Sequence, residues 1–147
     1  MRNVRGCAVQ VMSVFQDAQH EAAHVVVGVA LGLRLDRASV REETHGDETW
    51  LGFALFYEGP RVAMNIMTAA GVVWERKVGD LAHASEDLKL LRRGRVRTNA
   101  ELLALERAAW AILEGRASLH ARVTRALLEG DVTGADLRAM VRETPRF

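Results

Sequence analysis

Hydrophobic residues recur at helical spacing over about residues 14–31 of the chain. The apolar stripe consists of Phe15, Ala18, Ala22, Val25, Val26 and Val29. A stripe of this kind is expected of an amphipathic helix that packs one face against a core. Ser13 and Gln16 match a capping box at the start of the helix, and Gly32 is suited to end it. The pattern therefore predicts one long helix after a short lead-in over residues 1–12.

The next stretch changes from helical spacing to strand-like composition. Residues 37–42 alternate weakly and predict a short strand, and the aromatic-rich segment 50–57 predicts a second one. A turn-like segment over residues 44–48 separates them. Gly52, inside the second strand, is typical of a bulge or a close backbone approach. We expect a small β-hairpin or sheet here.

The rest of the chain returns to helical spacing. Helices are predicted over about residues 60–77, 85–93, 99–128 with a kink or break at Gly115, and 134–142. Ser85, Thr98 and Thr133 are the expected N-terminal caps. The predicted fold class is mainly α: one compact domain over residues 1–147, with five or six helices and the small β element.

Composition narrows the functional classes. The 147 residues carry a net charge of +1 and a single cysteine, so neither a strongly charged partner nor an internal disulfide framework is indicated. The longest apolar run, residues 25–33, is too short to span a bilayer, and no signal-peptide pattern precedes it. We expect a cytoplasmic protein without a membrane anchor of its own.

The sequence His20-Glu21-Ala22-Ala23-His24 lies within the first predicted helix. Histidines four residues apart project from one helix face, where two imidazoles can hold one Zn²⁺ at about 2.0–2.1 Å. Glu21 projects beside that face, as required of a general base acting on a metal-activated water. The alternative is a buried helix with two hydrogen-bonded histidines. We expect one Zn²⁺ per chain.

The sequence offers three candidates for a third protein ligand near the start of the helix predicted from residue 85. These are His83, which precedes the helix, and Glu86 and Asp87 in its first turn. Glu86 and Asp87 point about 100° apart on a helix, so only one can face a given metal. A short carboxylate in a first turn is comparatively rigid and is favoured by the helix dipole, which mildly prefers Asp87.

One basic run, residues 92–97, contains four arginines. It has no interleaved aromatic residue and matches no nucleic-acid-binding motif, so an exposed loop is the favoured interpretation. A nucleic-acid-linked regulator would instead bind with a steep salt dependence. No nucleic-acid partner is expected.

Several motifs together resemble the peptidase domain of FtsH-type, membrane-anchored AAA+ zinc proteases. Residues 20–24 resemble the family's HEAGH motif, and residues 51–57 resemble its LGY-like strand. Residues 69–75 resemble its GGRAAEE helix, and residues 84–88 resemble its ASNDL motif. Residues 126–129 with 134–137 resemble its closing ALLE…GEEL segment. The motifs occur in the family's order, and the resemblance covers roughly residues 13–143.

The resemblance implies a zinc endopeptidase with a mainly helical fold. His20, His24 and Asp87 would be the metal ligands, and Glu21 the catalytic base. The strand over residues 50–57 would hold an extended substrate by backbone pairing. The residues expected around this centre are Glu75, as a partner that orients a ligand histidine, His83 near the metal, and Gly52 and Phe53 along the substrate.

The chain departs from the family because it shows neither an ATPase module nor a transmembrane segment. The expected substrates are therefore unfolded, flexible or partner-delivered polypeptides. A homo-oligomer and a separate ATPase or adaptor partner both stay open. The competing hypothesis is a catalytically weak or inactive zinc-binding interaction module, with His83 as a fourth ligand.

Overall fold

A computed structural model of the chain describes residues 11–41, 43–50, 52–79 and 84–144. These residues form six helices and five short strands, which confirms the mainly α fold class. In chain order they are α1 Val11–Ala30, β1 Leu35–Ser39, β2 Glu43–His45, β3 Glu48–Trp50, β4 Phe53–Phe56, α2 Arg61–Val78, α3 Ala84–Arg93, α4 Asn99–Glu114, α5 Ala117–Glu129, β5 Val132–Thr133 and α6 Gly134–Glu143. None of the helices in the described ranges has the length and hydrophobicity needed to cross a bilayer.

Helix α1 forms the centre of the fold. Every residue from His20 to Gly28 is buried, because α2 and α5 pack along α1 while α4 and β1 cover further parts of it. This part of α1 has no solvent face, unlike the one-sided helix that the apolar stripe predicts, whereas Phe15 and Gln16 near the start of the helix are exposed. The polar residues of the histidine motif therefore lie inside the protein.

The β element is a three-stranded antiparallel sheet with the order β4-β1-β5, next to a separate β2-β3 hairpin. Ser39 pairs with Phe53 and Leu35 with Phe56, with an irregularity between Leu35 and Arg37. The strand predicted over residues 50–57 is divided, since β3 ends at Trp50 and β4 begins at Phe53. Among the described strands, β4 is at one edge of its sheet.

A close contact fixes this sheet on α1. A Cβ atom at Gly28 would overlap the Phe56 ring, so the absence of a side chain at position 28 lets the end of β4 pack directly on the helix. Gly28 lies one turn beyond His24. The contact therefore holds β4 near the histidine motif.

Most helix ends follow the predicted signals. Gly32 and Gly79 have positive φ angles of 79° and 82°, and the side chains of Thr98 and Thr133 cap α4 and α6. The long predicted segment over residues 99–128 breaks after Glu114 into α4 and α5. The capping roles predicted for Ser13 and Ser85 are wrong, because both residues lie inside helices.

His120 connects α5 to α1. Its Nε2 atom donates a hydrogen bond to the Gln19 carbonyl oxygen at 3.0 Å, and its ring lies 4.3 Å from the Trp74 ring between centroids. Burial lowers the pKa of His120 below its ordinary value of 6.5, although the bond to Gln19 acts in the opposite direction. The folded protein therefore favours the neutral imidazole.

We expect His120 to make the free energy of unfolding depend on pH. Its pKa is lower in the folded than in the unfolded chain, so the unfolded state binds the extra proton and stability falls as the pH drops below about 6.5. H120Q keeps a side-chain N–H donor but cannot titrate. Denaturant unfolding between about pH 7.5 and about pH 5.5 should therefore show a smaller loss of stability for H120Q than for the wild type. Equal losses would contradict this role.

Candidate metal centre

The histidine motif forms a buried polar cluster on α1. His20, Glu21 and His24 are only 5%, 7% and 6% exposed. One nitrogen of each imidazole and one carboxylate oxygen of Glu21 lie within 4.8 Å of one another. The helical spacing thus brings together the three side chains that the motif predicts.

Helix α3 brings Asp87 to this cluster. Its Oδ2 atom lies 3.1 Å from His20 Nε2 and 3.3 Å from His24 Nε2, and the two Nε2 atoms are 3.2 Å apart. Asp87 is buried, whereas Glu86 is exposed. Of the two acidic candidates on this helix, only Asp87 faces the histidines.

The spacing of these three atoms fits a tetrahedral zinc site. Two ligand atoms that each lie about 2.0–2.1 Å from an ion, at the tetrahedral angle, are about 3.3–3.4 Å from each other. The observed separations of 3.1–3.3 Å are within a few tenths of that value. Two imidazole nitrogens and one carboxylate oxygen are also a donor set that zinc accepts.

The angles of the contacts at Asp87 Oδ2 favour an ion that this atom shares with the two histidines. Among the described residues, the buried Oδ2 atom of Asp87 accepts no hydrogen bond of acceptable angle, although both Nε2 atoms are within hydrogen-bonding distance. A buried carboxylate oxygen is costly unless a partner satisfies it. The two contacts of Asp87 Oδ2 are therefore short without hydrogen-bond geometry, as expected of atoms that face a common ion, whereas the Nε2 atoms of His20 and His24 do meet hydrogen-bond geometry with each other.

Each imidazole also has a contact at its Nδ1 atom, which can orient the ring. Glu75 Oε1 lies 3.3 Å from His20 Nδ1, and the carbonyl oxygen of Met67 accepts a hydrogen bond from His24 Nδ1 at 2.8 Å. The Met67 hydrogen bond places the proton of His24 on Nδ1, so that its Nε2 can face a metal. The Glu75 carboxylate lies beside the corresponding nitrogen of His20. The predicted orienting role of Glu75 agrees with this position, and α2 supplies both contacts.

The electrostatics of the cluster favour positive charge. Burial by itself lowers the pKa of His20, but contacts with Asp87 and Glu75 outweigh it and raise the pKa to about 10. The pKa of His24 is raised in the same way, mainly by Asp87 against the effect of burial. Burial raises the pKa of Asp87, yet the facing histidines lower it overall, well below its usual range. The same field that attracts a proton attracts a metal cation.

Gly52 places the start of β4 against Glu21. A Cβ atom at position 52 would lie 3.1 Å from Glu21 Oε2, which is tighter than ordinary van der Waals contact. The close backbone approach predicted for Gly52 is therefore confirmed. It leaves the Glu21 carboxylate between the candidate metal ligands of α1 and the first residue before an edge strand.

Gly71 on α2 is a site residue that the motif search did not single out. A Cβ atom there would lie 2.5 Å from His24 Nε2 and 2.6 Å from His20 Cε1, and would also overlap Asp87 Oδ2. Only hydrogen fits at this point. The available sequence signal was a glycine inside a helix, where it costs about 1 kcal/mol relative to alanine and usually has a packing or functional reason.

Of the remaining predicted site residues, Phe53 is the one that the structure describes. Phe53 is 1% exposed, with the Arg37 guanidinium 4.7 Å from its ring centroid, so its side chain belongs to the interior and does not line an open surface. His83 lies outside the described residues. The predicted fourth-ligand role of His83 stays a prediction.

Two comparisons with known sequences found no match. No family model matches the chain, and no curated protein sequence matches it. The geometry of the cluster and the motifs therefore carry the functional assignment.

We expect Asp87→Ala to weaken zinc binding by at least about 100-fold, because it removes one of three ligand atoms. Glu86→Ala is the matched control, since Glu86 is a neighbouring exposed acid. Zinc content and affinity, measured by elemental analysis and chelator competition, should be unchanged in the control. If Glu86→Ala empties the site and Asp87→Ala does not, the ligand assignment is wrong.

We expect Gly71→Ala to reduce zinc affinity at least about tenfold without removing a ligand, because its methyl group would enter the space between the donors. Gly115→Ala is the control, since its Cβ atom would meet only backbone oxygens at 3.5 Å or more and its φ is −74°. Chelator competition on both folded variants tests this. Wild-type affinity in Gly71→Ala would show that the donors need no such clearance.

Proposed function

We propose that the chain is a zinc-dependent endopeptidase. The observation that carries the proposal is the triangle of His20 Nε2, His24 Nε2 and Asp87 Oδ2, whose edges of 3.1–3.3 Å match three corners of a tetrahedral zinc site. Three protein ligands are typical of catalytic zinc, since they leave one position for water or substrate.

The roles of the side chains follow from their positions. His20, His24 and Asp87 would hold the ion, which when bound supplies Lewis acidity toward water and the scissile carbonyl. Glu21 accepts a proton from the attacking water and delivers it to the leaving amine. Glu75 and the Met67 carbonyl keep the imidazoles in the required orientation. Gly52 limits the positions open to the Glu21 carboxylate.

The edge of strand β4 that is unpaired in the described part of the chain supports the proposal that the substrate is a polypeptide. Its inner edge pairs with β1, while its other edge has no partner strand among the described residues. An extended peptide can add to such an edge through main-chain hydrogen bonds. Since Gly52 adjoins Glu21 at the start of β4, a peptide paired there would pass beside the catalytic carboxylate.

This arrangement supports the resemblance to FtsH-type peptidase domains. The ligand set and the neighbouring strand are those that the resemblance implies. We infer an activity toward unfolded, flexible or partner-delivered polypeptides, because strand pairing requires an extended chain. A separate ATPase or adaptor could deliver folded substrates.

Burial of the cluster favours a second candidate, a zinc-binding interaction module without turnover. The three ligands and Glu21 are each no more than 7% exposed, and a closed site is typical of structural zinc. In that case the metal would stabilise the contact between α1 and α3. Cleavage assays distinguish the two candidates.

We expect Glu21→Gln to keep the fold and the zinc but to lower peptidase activity at least about 100-fold, since the amide cannot accept the proton. Cleavage of an unfolded protein such as casein, measured beside zinc content, tests this. Glu86→Gln is the control, because it makes the same chemical change at an exposed neighbour of Asp87.

The outcomes separate the candidates. Undiminished cleavage by Glu21→Gln would contradict the assigned mechanism, and loss of its zinc would make Glu21 structural. A zinc-loaded wild type that cleaves neither casein nor peptides would favour the interaction module.

A further inference from the structure

A groove lies between the start of α2, the α3–α4 connection and the middle of α4. Its volume is about 380 Å³. Aliphatic side chains, among them Val62, Ile66, Val96 and Leu105, line much of it. Val62 is 64% exposed, although it is a large hydrophobic residue. The groove is thus an apolar surface open to a partner.

Two arginines belong to the lining of this groove. They are Arg61 and Arg95, and the exposed residues Arg92, Arg93 and Arg97 lie in the same α3–α4 region of the chain. Among the described residues, no carboxylate forms an ion pair with Arg61, Arg92, Arg93 or Arg95. The whole chain has a net charge of only +1, so this is a local concentration of positive charge.

The one acidic lining residue is already engaged. Glu101 accepts a hydrogen bond from the Thr98 hydroxyl at 3.1 Å, while its backbone N–H donates to the same hydroxyl at the start of α4. Its carboxylate takes part in the helix cap but keeps its negative charge. The two lining arginines, Arg61 and Arg95, outnumber this single acid, so the lining as a whole is positive.

The α3–α4 connection, which contains Arg95, is held against α2. Asn65 donates a hydrogen bond to the Gly94 carbonyl oxygen at 2.9 Å, and a Cβ atom at position 94 would overlap the Asn65 side chain. Val96, two residues later, is buried with Ala69 and Leu91. A pre-formed surface loses little entropy on binding, so the arginines can act together.

We propose that this groove binds an acidic segment of the substrate polypeptide. Aliphatic side chains would fill the floor while neighbouring carboxylates pair with the arginines, whose planar guanidinium groups suit carboxylates. A peptide fits better than a nucleic acid, because none of the described lining residues is an aromatic on which bases could stack. Assigning the segment to a substrate rests on the proposed peptidase function.

The helices set the distance between groove and metal centre. Along α3, Arg93 follows Asp87 by six residues, or about 9 Å, and along α2, Ile66 precedes Gly71 by five residues, or about 7.5 Å. An extended chain advances about 3.3–3.6 Å per residue. The acidic segment would therefore lie about two to three residues from the scissile bond.

The first test measures binding without cleavage. A fluorescein-labelled peptide with leucines flanked by aspartates and glutamates is titrated with the zinc-loaded Glu21→Gln protein, using anisotropy. A peptide with lysines in place of the acids is the ligand control. We expect the acidic peptide alone to bind, with weaker binding as NaCl rises from about 50 mM to about 300 mM.

Charge reversal then locates the site. In the same Glu21→Gln background, R61E/R95E should weaken binding of the acidic peptide at least about tenfold, since two attractive charges become repulsive. R125E/R142E makes the same change of net charge at two exposed arginines on α5 and α6, and should change the affinity less than about twofold. Circular dichroism establishes that both variants fold.

The results separate this proposal from the peptidase proposal. Equal effects of the two double variants, no binding of the acidic peptide, or tighter binding of single-stranded DNA would each overturn the docking site. If the wild type cleaves neutral and acidic peptides equally well, the peptidase stands and the docking site fails. If the acidic peptide binds at Arg61 and Arg95 but no peptide is cleaved, the groove stands as an acidic-peptide site and the peptidase fails.

Discussion

The close approach of α2 to α1 at Gly71 is the constraint on which the rest of the structure depends. Without a side chain at this position, α2 lies against the donor atoms of His20 and His24, and α3 can add Asp87 to them. The same helix supplies Glu75 and the Met67 carbonyl to the outer nitrogens. One glycine thus allows a single helix both to make room for the centre and to orient it.

Burial of so many polar groups has a cost that the surrounding packing must offset. Glu21, Glu75 and Asp87 are each no more than 7% exposed, as are the two histidines. Buried ionised groups are unfavourable unless they are paired, hydrogen-bonded or bound to a metal. The apolar cluster around α1 provides the compensating burial of aliphatic side chains. A divalent cation would balance the excess of carboxylates over bases, so the metal proposal and the burial support each other.

The sequence predicted features that depend on residues close together in the chain and missed features that depend on tertiary contacts. The helix of the histidine motif, the caps Thr98 and Thr133, and the ends at Gly32 and Gly79 depend on neighbouring residues, and they were predicted correctly. Strand β5 has only two residues and exists because it pairs with β1, so no alternation could show it. The clearance at Gly71 and the enclosure of α1 from His20 to Gly28 likewise depend on helices distant in sequence. The sequence alone preferred Asp87 over Glu86 only mildly. The structure distinguishes them, because Asp87 is buried and Glu86 is exposed.

Helices α2 and α3 connect the candidate metal centre to the basic groove, and this connection bears on how the proposed peptidase could choose substrates. Strand pairing at β4 recognises any extended backbone and therefore discriminates poorly between sequences. Positive charge held on the same two helices adds a side-chain requirement at a set distance, because the Asn65–Gly94 contact joins them rigidly. Charge also speeds encounter with an acidic chain over distances comparable to the Debye length. Selectivity would then arise from the pairing of a permissive strand with a charged groove, and cleavage would follow only where one chain satisfies both.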